Sequence, residues 1–131
     1  MELITRKRAV ERAQRLKEFN EGLYGVKFDL LEERLPLEGL VPTQGELSEV
    51  KLLVVLQEIK HGYDAPIIVL RYRGRDYILD GHHRAYALWK LGFGTVEALV
   101  LVPGGEIESR IAETTEKSGL SSLKDIKIVR D

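Results

Sequence analysis

The chain has 131 residues and a formal net charge of −1, which suits one compact domain and gives no overall bias toward nucleic acid. It contains no cysteine, so disulfides, thiolate metal sites and cysteine-based catalysis are excluded. No apolar run approaches the roughly 20 residues of a membrane-spanning helix, and no secretory signal is apparent, so we expect a cytoplasmic protein without a membrane partner.

Residues 1–22 carry a charged helical pattern, which we assign to an N-terminal helix within residues 1–25. The pattern indicates a solvated helix that packs one face on the body. A segment that binds DNA or a partner is the alternative, but interspersed glutamates lead us to expect weak DNA binding or none. Abundant Lys, Arg and Glu, with Asn20 as the only asparagine, favour a thermophilic source. The predicted apolar stripe comprises Ile4, Val10, Ala13, Leu16 and Phe19.

Residues 26–131 alternate between strand and helix patterns and are assigned to a single domain. The predicted elements are a strand at 26–31, an ordered connection at 35–42, a helix at 47–60, hairpin strands at 66–70 and 77–79, a helix at 85–91, a strand at 95–102, a helix at 107–117 and a strand at 123–129. This mixed order predicts an α+β fold with a small mixed sheet flanked by helices. The apolar face of the helix at 47–60 is assigned to Val50, Leu53, Val54, Leu56 and Ile59.

The segment Asp80-Gly81-His82-His83-Arg84, hereafter the 80–84 loop, stands between the last hairpin strand and a helix. Glycine permits a tight turn and a close approach to the backbone. The amides that follow would lie at a helix N-terminus, where free N–H groups and the helix dipole favour an anion. Cationic side chains are unusual in a first helical turn, so the pattern favours a phosphate site over an ordinary capped helix.

Each polar residue of the loop has a candidate role. The fork of Arg84 suits phosphate oxygens, and the rings of His82 and His83 can donate hydrogen bonds to them. Asp80 has two equal interpretations, a Mg²⁺ ligand acting through water or a helix cap. A structural zinc site is disfavoured, because adjacent histidines on a helix rarely chelate one ion.

The ordered run of motifs resembles the ParB/sulfiredoxin superfamily. It consists of Pro42-Thr43-Gln44, the helix that follows, Pro66-Ile67-Ile68-Val69 and the segment 77–88, and it covers roughly residues 40–102. The resemblance implies a nucleotide-binding protein of that fold, with Thr43, Gln44 and residues 81–84 contacting the nucleotide. Sulfiredoxins use a cysteine where this chain has His82, so their sulfur chemistry is not expected here.

The 80–84 loop also resembles that of the archaeal free-serine kinases. That resemblance implies transfer of a phosphoryl group from ATP or ADP, or another nucleotide, to a hydroxyl with the help of Mg²⁺. It assigns catalytic roles to Asp80 and His83, and Glu46, which follows Pro42, becomes the candidate base. An ordinary first-turn acid is the alternative for Glu46. Those kinases have an added lobe for the amino acid, so the acceptor here, a small molecule or a protein side chain, stays open.

Two main hypotheses follow. The first is a nucleotide-dependent phosphotransferase that acts on a small molecule or a protein side chain. The second is a non-enzymatic, nucleotide-gated module in the manner of ParB, whose basic N-terminal helix contacts DNA or a partner. A nuclease is the weakest hypothesis, because the sequence offers no convincing set of carboxylates for metal-assisted hydrolysis. The nucleobase and any oligomeric state stay open.

Overall fold

The computed structural model describes residues 2–131. The helices are α1 (Arg6–Tyr24), α2 (Glu49–Lys60), α3 (His82–Lys90) and α4 (Arg110–Lys117). The strands are β1 (Phe28–Pro36), β2 (Leu40–Val41), β3 (Glu46–Ser48), β4 (Ile67–Tyr72), β5 (Arg75–Asp80), β6 (Thr95–Pro103) and β7 (Lys127–Val129). Within this part of the chain, no helix is both long enough and apolar enough to cross a membrane.

Five strands form one mixed sheet in the order β1-β6-β4-β5-β2. The central strand β4 pairs parallel with β6 and antiparallel with β5, and β1 pairs antiparallel with β6. The continuous apolar run Ile67–Leu70 is explained by this position, because a central strand covered on both faces needs apolar side chains on both. β3 and β7 form a separate parallel pair. The expected α+β fold with a small mixed sheet and flanking helices is confirmed.

Helices cover both faces of the sheet. Because side chains alternate along a strand, Ile67 and Val69 of β4 face the layer of α2 and α3, whereas Ile68 faces α1. The carboxyl end of β5 leads directly into α3, so the 80–84 loop lies at the edge of the sheet where these layers meet.

The added N-terminal helix is present, but only Ile4, Ala13 and Leu16 of the predicted stripe pack toward the sheet. Ala9 and Ala13 are fully buried against Ile68 and Leu99, whereas Phe19 is 65% exposed. Small alanine side chains let the helix axis approach the sheet closely. A prediction based on large apolar residues does not identify a face made of alanines. Val10 is likewise exposed, so the predicted stripe is wrong in part.

The predicted face of α2 is also wrong in part. Leu52 and Val55 are buried in the core, whereas Leu53 is 58% exposed and Val50 is exposed beside it. Five consecutive apolar residues, 52–56, surround more than one turn of this helix, so periodicity alone does not define its buried side. Packing against α3 and the sheet decides which of them are covered.

Several element boundaries differ from the predictions, and three of the differences have a clear local cause. β1 extends to Pro36 because it pairs with β6 along its whole length, and its charged residues face solvent at the sheet edge. α4 begins only at Arg110, where the Ser109 hydroxyl accepts a hydrogen bond from the Ala112 amide. The final strand is limited to β7, because a 3-10 turn occupies Leu123–Asp125.

Neighbouring leucines on α2 provide a test of this packing. Leu52→Ala should lower the free energy of unfolding by roughly 2–4 kcal/mol, because it removes buried methyl groups and leaves a cavity. Leu53→Ala, the matched control, should change it by less than about 0.5 kcal/mol. Urea denaturation followed by circular dichroism measures both values, and equal losses would contradict the orientation of α2.

Candidate functional site

Gly81 connects β5 to α3 in a conformation that side chains rarely adopt. Its φ angle is 100°, in the left-handed region, and it occupies the N-cap position of α3. A Cβ atom placed on Gly81 would lie 2.7 Å from Arg84 Nη2 and 2.7 Å from Ile67 Cγ2. The glycine is therefore required both by backbone geometry and by the close packing of Arg84 beneath it.

The first turn of α3 has no side-chain cap. The first amides of a helix have no intrahelical acceptor, and within residues 2–131 no other group accepts from the backbone N–H of His82, His83 or Arg84. The carboxylate of Asp80 does not cap the helix, because it pairs with Arg12 Nη1 at 3.0 Å and Arg84 Nη2 at 3.4 Å. An uncapped helix start of this kind is suited to an anion.

The uncapped turn lines a large open cleft of about 980 Å³. The cleft brings together seven of the eight sequence-predicted site residues, namely Thr43, Gln44, Asp80, Gly81, His82, His83 and Arg84. The eighth, Glu46, does not line it. Glu46 is exposed on β3, where its carbonyl oxygen accepts a hydrogen bond from Gln44 Nε2 at 2.9 Å.

His82 joins the 80–84 loop to the segment before β3. The Thr43 amide donates a hydrogen bond to His82 Nε2 at 2.9 Å, and the Thr43 hydroxyl donates to the Ile78 carbonyl. Burial lowers the pKa of His82 to about 4, with a smaller contribution from the neighbouring His83. At neutral pH the ring is therefore uncharged, carries its proton on Nδ1 and holds the two segments together.

His83 has a less enclosed position beside the cleft. Burial lowers its pKa below the ordinary value, and the positive charges of Lys51 and Arg84 lower it further. Its Nε2 atom is buried and has no hydrogen-bond partner within the described residues. The ring is thus uncharged at neutral pH and retains an uncommitted polar atom.

Arg84 is a buried charge with mostly internal partners. Its Nη2 donates to the Pro66 carbonyl at 3.0 Å and contacts Asp80, and its Nη1 donates to the Tyr63 hydroxyl at 3.3 Å. The fork predicted to clamp phosphate is thus already committed within the protein. Its charge still contributes to the positive field of the loop.

Cationic side chains from distant parts of the sequence complete the cleft. Arg8 and Arg12 reach it from α1, and Lys51 reaches it from the first turn of α2. Arg8 and Lys51 have no carboxylate partner within residues 2–131. Sequence reasoning missed all three, although the four-residue spacing of Arg8 and Arg12 places both on one side of a helix.

The side chains that line the cleft do not form a metal site by themselves. No group of three or more His, Asp or Glu side chains within residues 2–131 has the arrangement of a metal centre. Asp80 is committed to two arginines, and Glu2 is the other carboxylate along the cleft. Mg²⁺ usually binds proteins through one or two carboxylates together with substrate phosphates, so these residues fit it only in company with a phosphorylated ligand.

Gly81 and Gly92 form a matched pair for testing the packing beneath the loop. Both have positive φ angles, but a Cβ on Gly92 would meet no atom within 4 Å. Gly92→Ala should lower the free energy of unfolding by about 1–2 kcal/mol through backbone strain alone. Gly81→Ala should cost at least about 2 kcal/mol more, because Arg84 and Ile67 must also move. Equal losses in urea denaturation would contradict the close packing of Arg84.

The buried, neutral His82 predicts a pH dependence of stability. Its pKa of about 4 in the folded chain lies below the ordinary value of 6.5, so the unfolded chain binds more protons between these values. Neutral His82 therefore contributes up to roughly 3 kcal/mol to the free energy of unfolding. This contribution is fully present above about pH 6.5 and is lost as the pH falls toward 4. His82→Gln should remove most of this slope, whereas His61→Gln, on an exposed residue, should preserve it. Urea denaturation across this pH range measures the slope, and an unchanged slope in His82→Gln would contradict the assignment.

Comparisons with known proteins bear on the fold. No protein-family model matches the sequence. The uncharacterized protein MJ0188 of Methanocaldococcus jannaschii is 34% identical over 107 residues, which are 80% of this chain and 40% of that protein. The chain thus spans less than half the length of this curated relative.

Several solved structures superpose on the chain. Protein Atu1540 from Agrobacterium tumefaciens superposes with a TM-score of 0.61 and 15% identity, over 76% of this chain and 63% of that one. A Pnob8-like ParB-N domain superposes with a TM-score of 0.50 and 20% identity, over 66% of this chain and 34% of that one. At these identities the likeness concerns the fold alone, and the chain has a fold like that of the ParB-N domain.

Proposed function

We propose that the cleft binds a nucleotide through its phosphates. The observation that carries this proposal is the uncapped first turn of α3, whose three free amides line a cleft that is rich in cations. A phosphate at a helix N-terminus gains both hydrogen bonds and a favourable dipole interaction. Lys51 and Arg8 add positive charge without internal carboxylate partners, so they are available to a polyphosphate.

In this proposal, different groups of the cleft contact different parts of the nucleotide. The backbone amides after Gly81 take one phosphate, and Lys51 and Arg8 attract the rest of the polyphosphate chain. Thr43 and Gln44 line the cleft next to His82 and remain the candidates for contacts to the nucleoside. ATP and ADP are the proposed nucleotides, and another nucleobase would use the same phosphate contacts.

The finer proposal is phosphoryl transfer to a hydroxyl group. The acceptor oxygen would form a bond to the terminal phosphorus, the bond to the bridging oxygen would break, and the nucleotide would leave with that electron pair. The hydroxyl proton needs a base, and the carboxylates that line the cleft are Asp80 and Glu2. Mg²⁺ would arrive with the nucleotide and supply charge neutralisation, held chiefly by phosphate oxygens with Asp80 nearby.

A binding module without chemistry is the second candidate. It is favoured by the position of Glu46, which the resemblance assigned as the base but which lies outside the cleft. Asp80, held by Arg12 and Arg84, is also less free to accept a proton. DNA remains a poor partner for α1, because Glu11, Glu18 and Glu21 are interspersed among the basic residues of this helix.

Two lysines of α2 provide a matched test of nucleotide binding. Lys51→Gln should weaken binding of ATP or ADP about tenfold, because it removes a charge at the cleft. Lys60→Gln makes the same change in the last turn of α2, away from the cleft, and should bind like the parent. Isothermal titration calorimetry, with and without Mg²⁺, measures the dissociation constants. Absence of nucleotide binding, or equal losses in both variants, would refute the proposed site.

Asp80 and Glu46 separate the kinase from the binding module. Incubation with ATP or ADP and a pool of free amino acids and polyols, followed by mass spectrometry, detects phosphoryl transfer. If Asp80 is the base, Asp80→Asn should lower turnover at least about 100-fold, whereas Glu46→Gln should leave it unchanged. Loss of turnover in Glu46→Gln alone, with nucleotide affinity intact, would restore the role implied by the resemblance. Tight binding without any turnover in the parent would favour the module.

A further inference from the structure

A second cavity, here named the Arg84 cavity, is also lined by Arg84. It has a volume of about 260 Å³ and is bounded by the end of α2, by α3 and by the beginning of β6. Arg84 lines both this cavity and the cleft. Its other lining residues include Arg34, Ile59, Tyr63, Asp64, Leu88, Phe93, Val96 and Glu97.

One wall of the Arg84 cavity is apolar. Ile59 and Leu88 line it from the two helices, and Phe93 and Val96 line it from the segment leading into β6. An apolar cavity of about 150 Å³ holds a benzene molecule, so the larger volume here suits one ring, or a branched alkyl group, with a short polar extension. The apolar wall supplies affinity through burial of the ligand's hydrocarbon part.

Among the charged residues that line the cavity, Arg34 is available to pair with a negative ligand. Its two carboxylates, Asp64 and Glu97, are both paired with Arg6, at 3.2 Å and 2.6 Å. Arg34, by contrast, has no carboxylate partner within residues 2–131 and makes only a 3.4 Å contact with the Thr95 hydroxyl. The two acids thus share the charge of one arginine, whereas Arg34, beside the apolar residues, forms no ion pair with either of them.

Arg84 provides a second uncommitted donor. The side chain is about nine-tenths buried, and its Nε atom is fully buried with no acceptor within the described residues. A buried donor without an acceptor is costly, since it has lost its hydrogen bonds to water. The anionic oxygens of a ligand are therefore assigned to Arg34, whereas Arg84 lines the cavity as a buried charge held by internal partners.

We propose that the Arg84 cavity binds a small amphipathic carboxylate, which buries its ring or branched alkyl group against Ile59, Leu88 and Phe93. The carboxylate pairs with Arg34 at the cavity. This site does not depend on the function proposed for the cleft. Arg84 nevertheless links the two, because it also holds Asp80 and the Tyr63 hydroxyl, and that hydroxyl donates to the Ile4 carbonyl at 2.7 Å on the wall of the cleft.

The proposal is tested with 3-phenylpropionate and its uncharged analogue 3-phenylpropan-1-ol as probes. Titrations of the ¹⁵N-labelled full chain are followed by two-dimensional NMR, which locates binding through shifts at Leu88, Phe93 and Val96. The acid should bind at least about tenfold more tightly than the alcohol, the difference expected for one charge-assisted contact.

Arg34→Gln is the decisive variant, because the side chain is exposed and its loss should leave the fold intact. It should reduce the affinity for the acid to that for the alcohol, whereas Arg110→Gln, the same change on α4, should alter neither. Ile59→Phe, which fills part of the cavity, should weaken both probes. Shifts confined to residues 80–84, equal binding of acid and alcohol to the parent, or absence of binding at millimolar concentration would each overturn the proposal.

Discussion

The contact between Arg84 and Gly81 is the constraint on which the arrangement of the site depends. One guanidinium group on α3 binds the Pro66 carbonyl just before β4 and the Asp80 carboxylate at the end of β5, while packing closely beneath Gly81. The glycine must adopt a positive φ angle for the chain to turn over this group. A buried charge without partners would be strongly destabilising, so these contacts fix the ends of two central strands and the start of α3 relative to one another.

This internal use of Arg84 determines how the site can recognise an anion. A fork that already binds protein oxygens is a positioning group more than a ligand for phosphate. Under the proposed function, recognition of a phosphate would depend on the backbone amides that the Gly81 turn leaves uncapped, supported by the cations of α1 and α2. Amides fixed by a rigid turn lose little freedom on binding, since their positions are set before the ligand arrives. His82, kept neutral by burial, contributes in the same manner by fixing the segment that contains Thr43.

The sequence predicted the local features of this site better than its distant ones. A strand pattern is followed directly by a glycine and then by a helix that begins with cationic residues. This order is a local feature of the sequence, and it correctly located the turn from β5 into α3. The partners of Arg84 and the approach of Lys51 depend on long-range packing that periodicity does not encode. The same limit explains α2, where a run of apolar residues concealed the buried side, and α1, where the sheet contact is made by alanines. Glu46 was assigned by analogy of position, and the pairing of β3 with β7 holds its strand outside the cleft.

Two kinds of contact hold α1, the burial of alanines against the sheet and an ion pair at the cleft, and they differ in strength. Ala9 and Ala13 are fully buried against the sheet, and neither residue lines the cleft. The Arg12–Asp80 pair is partly exposed, and exposed ion pairs contribute at most about 1 kcal/mol. Under the proposed function, Arg12 would exchange the Asp80 carboxylate for a phosphate oxygen, while the alanine contacts would keep α1 on the sheet. Such an exchange would free one oxygen of Asp80 at the moment an anion occupies the α3 N-terminus. The cleft thus contains a cation whose internal partner is weak enough for a ligand to replace.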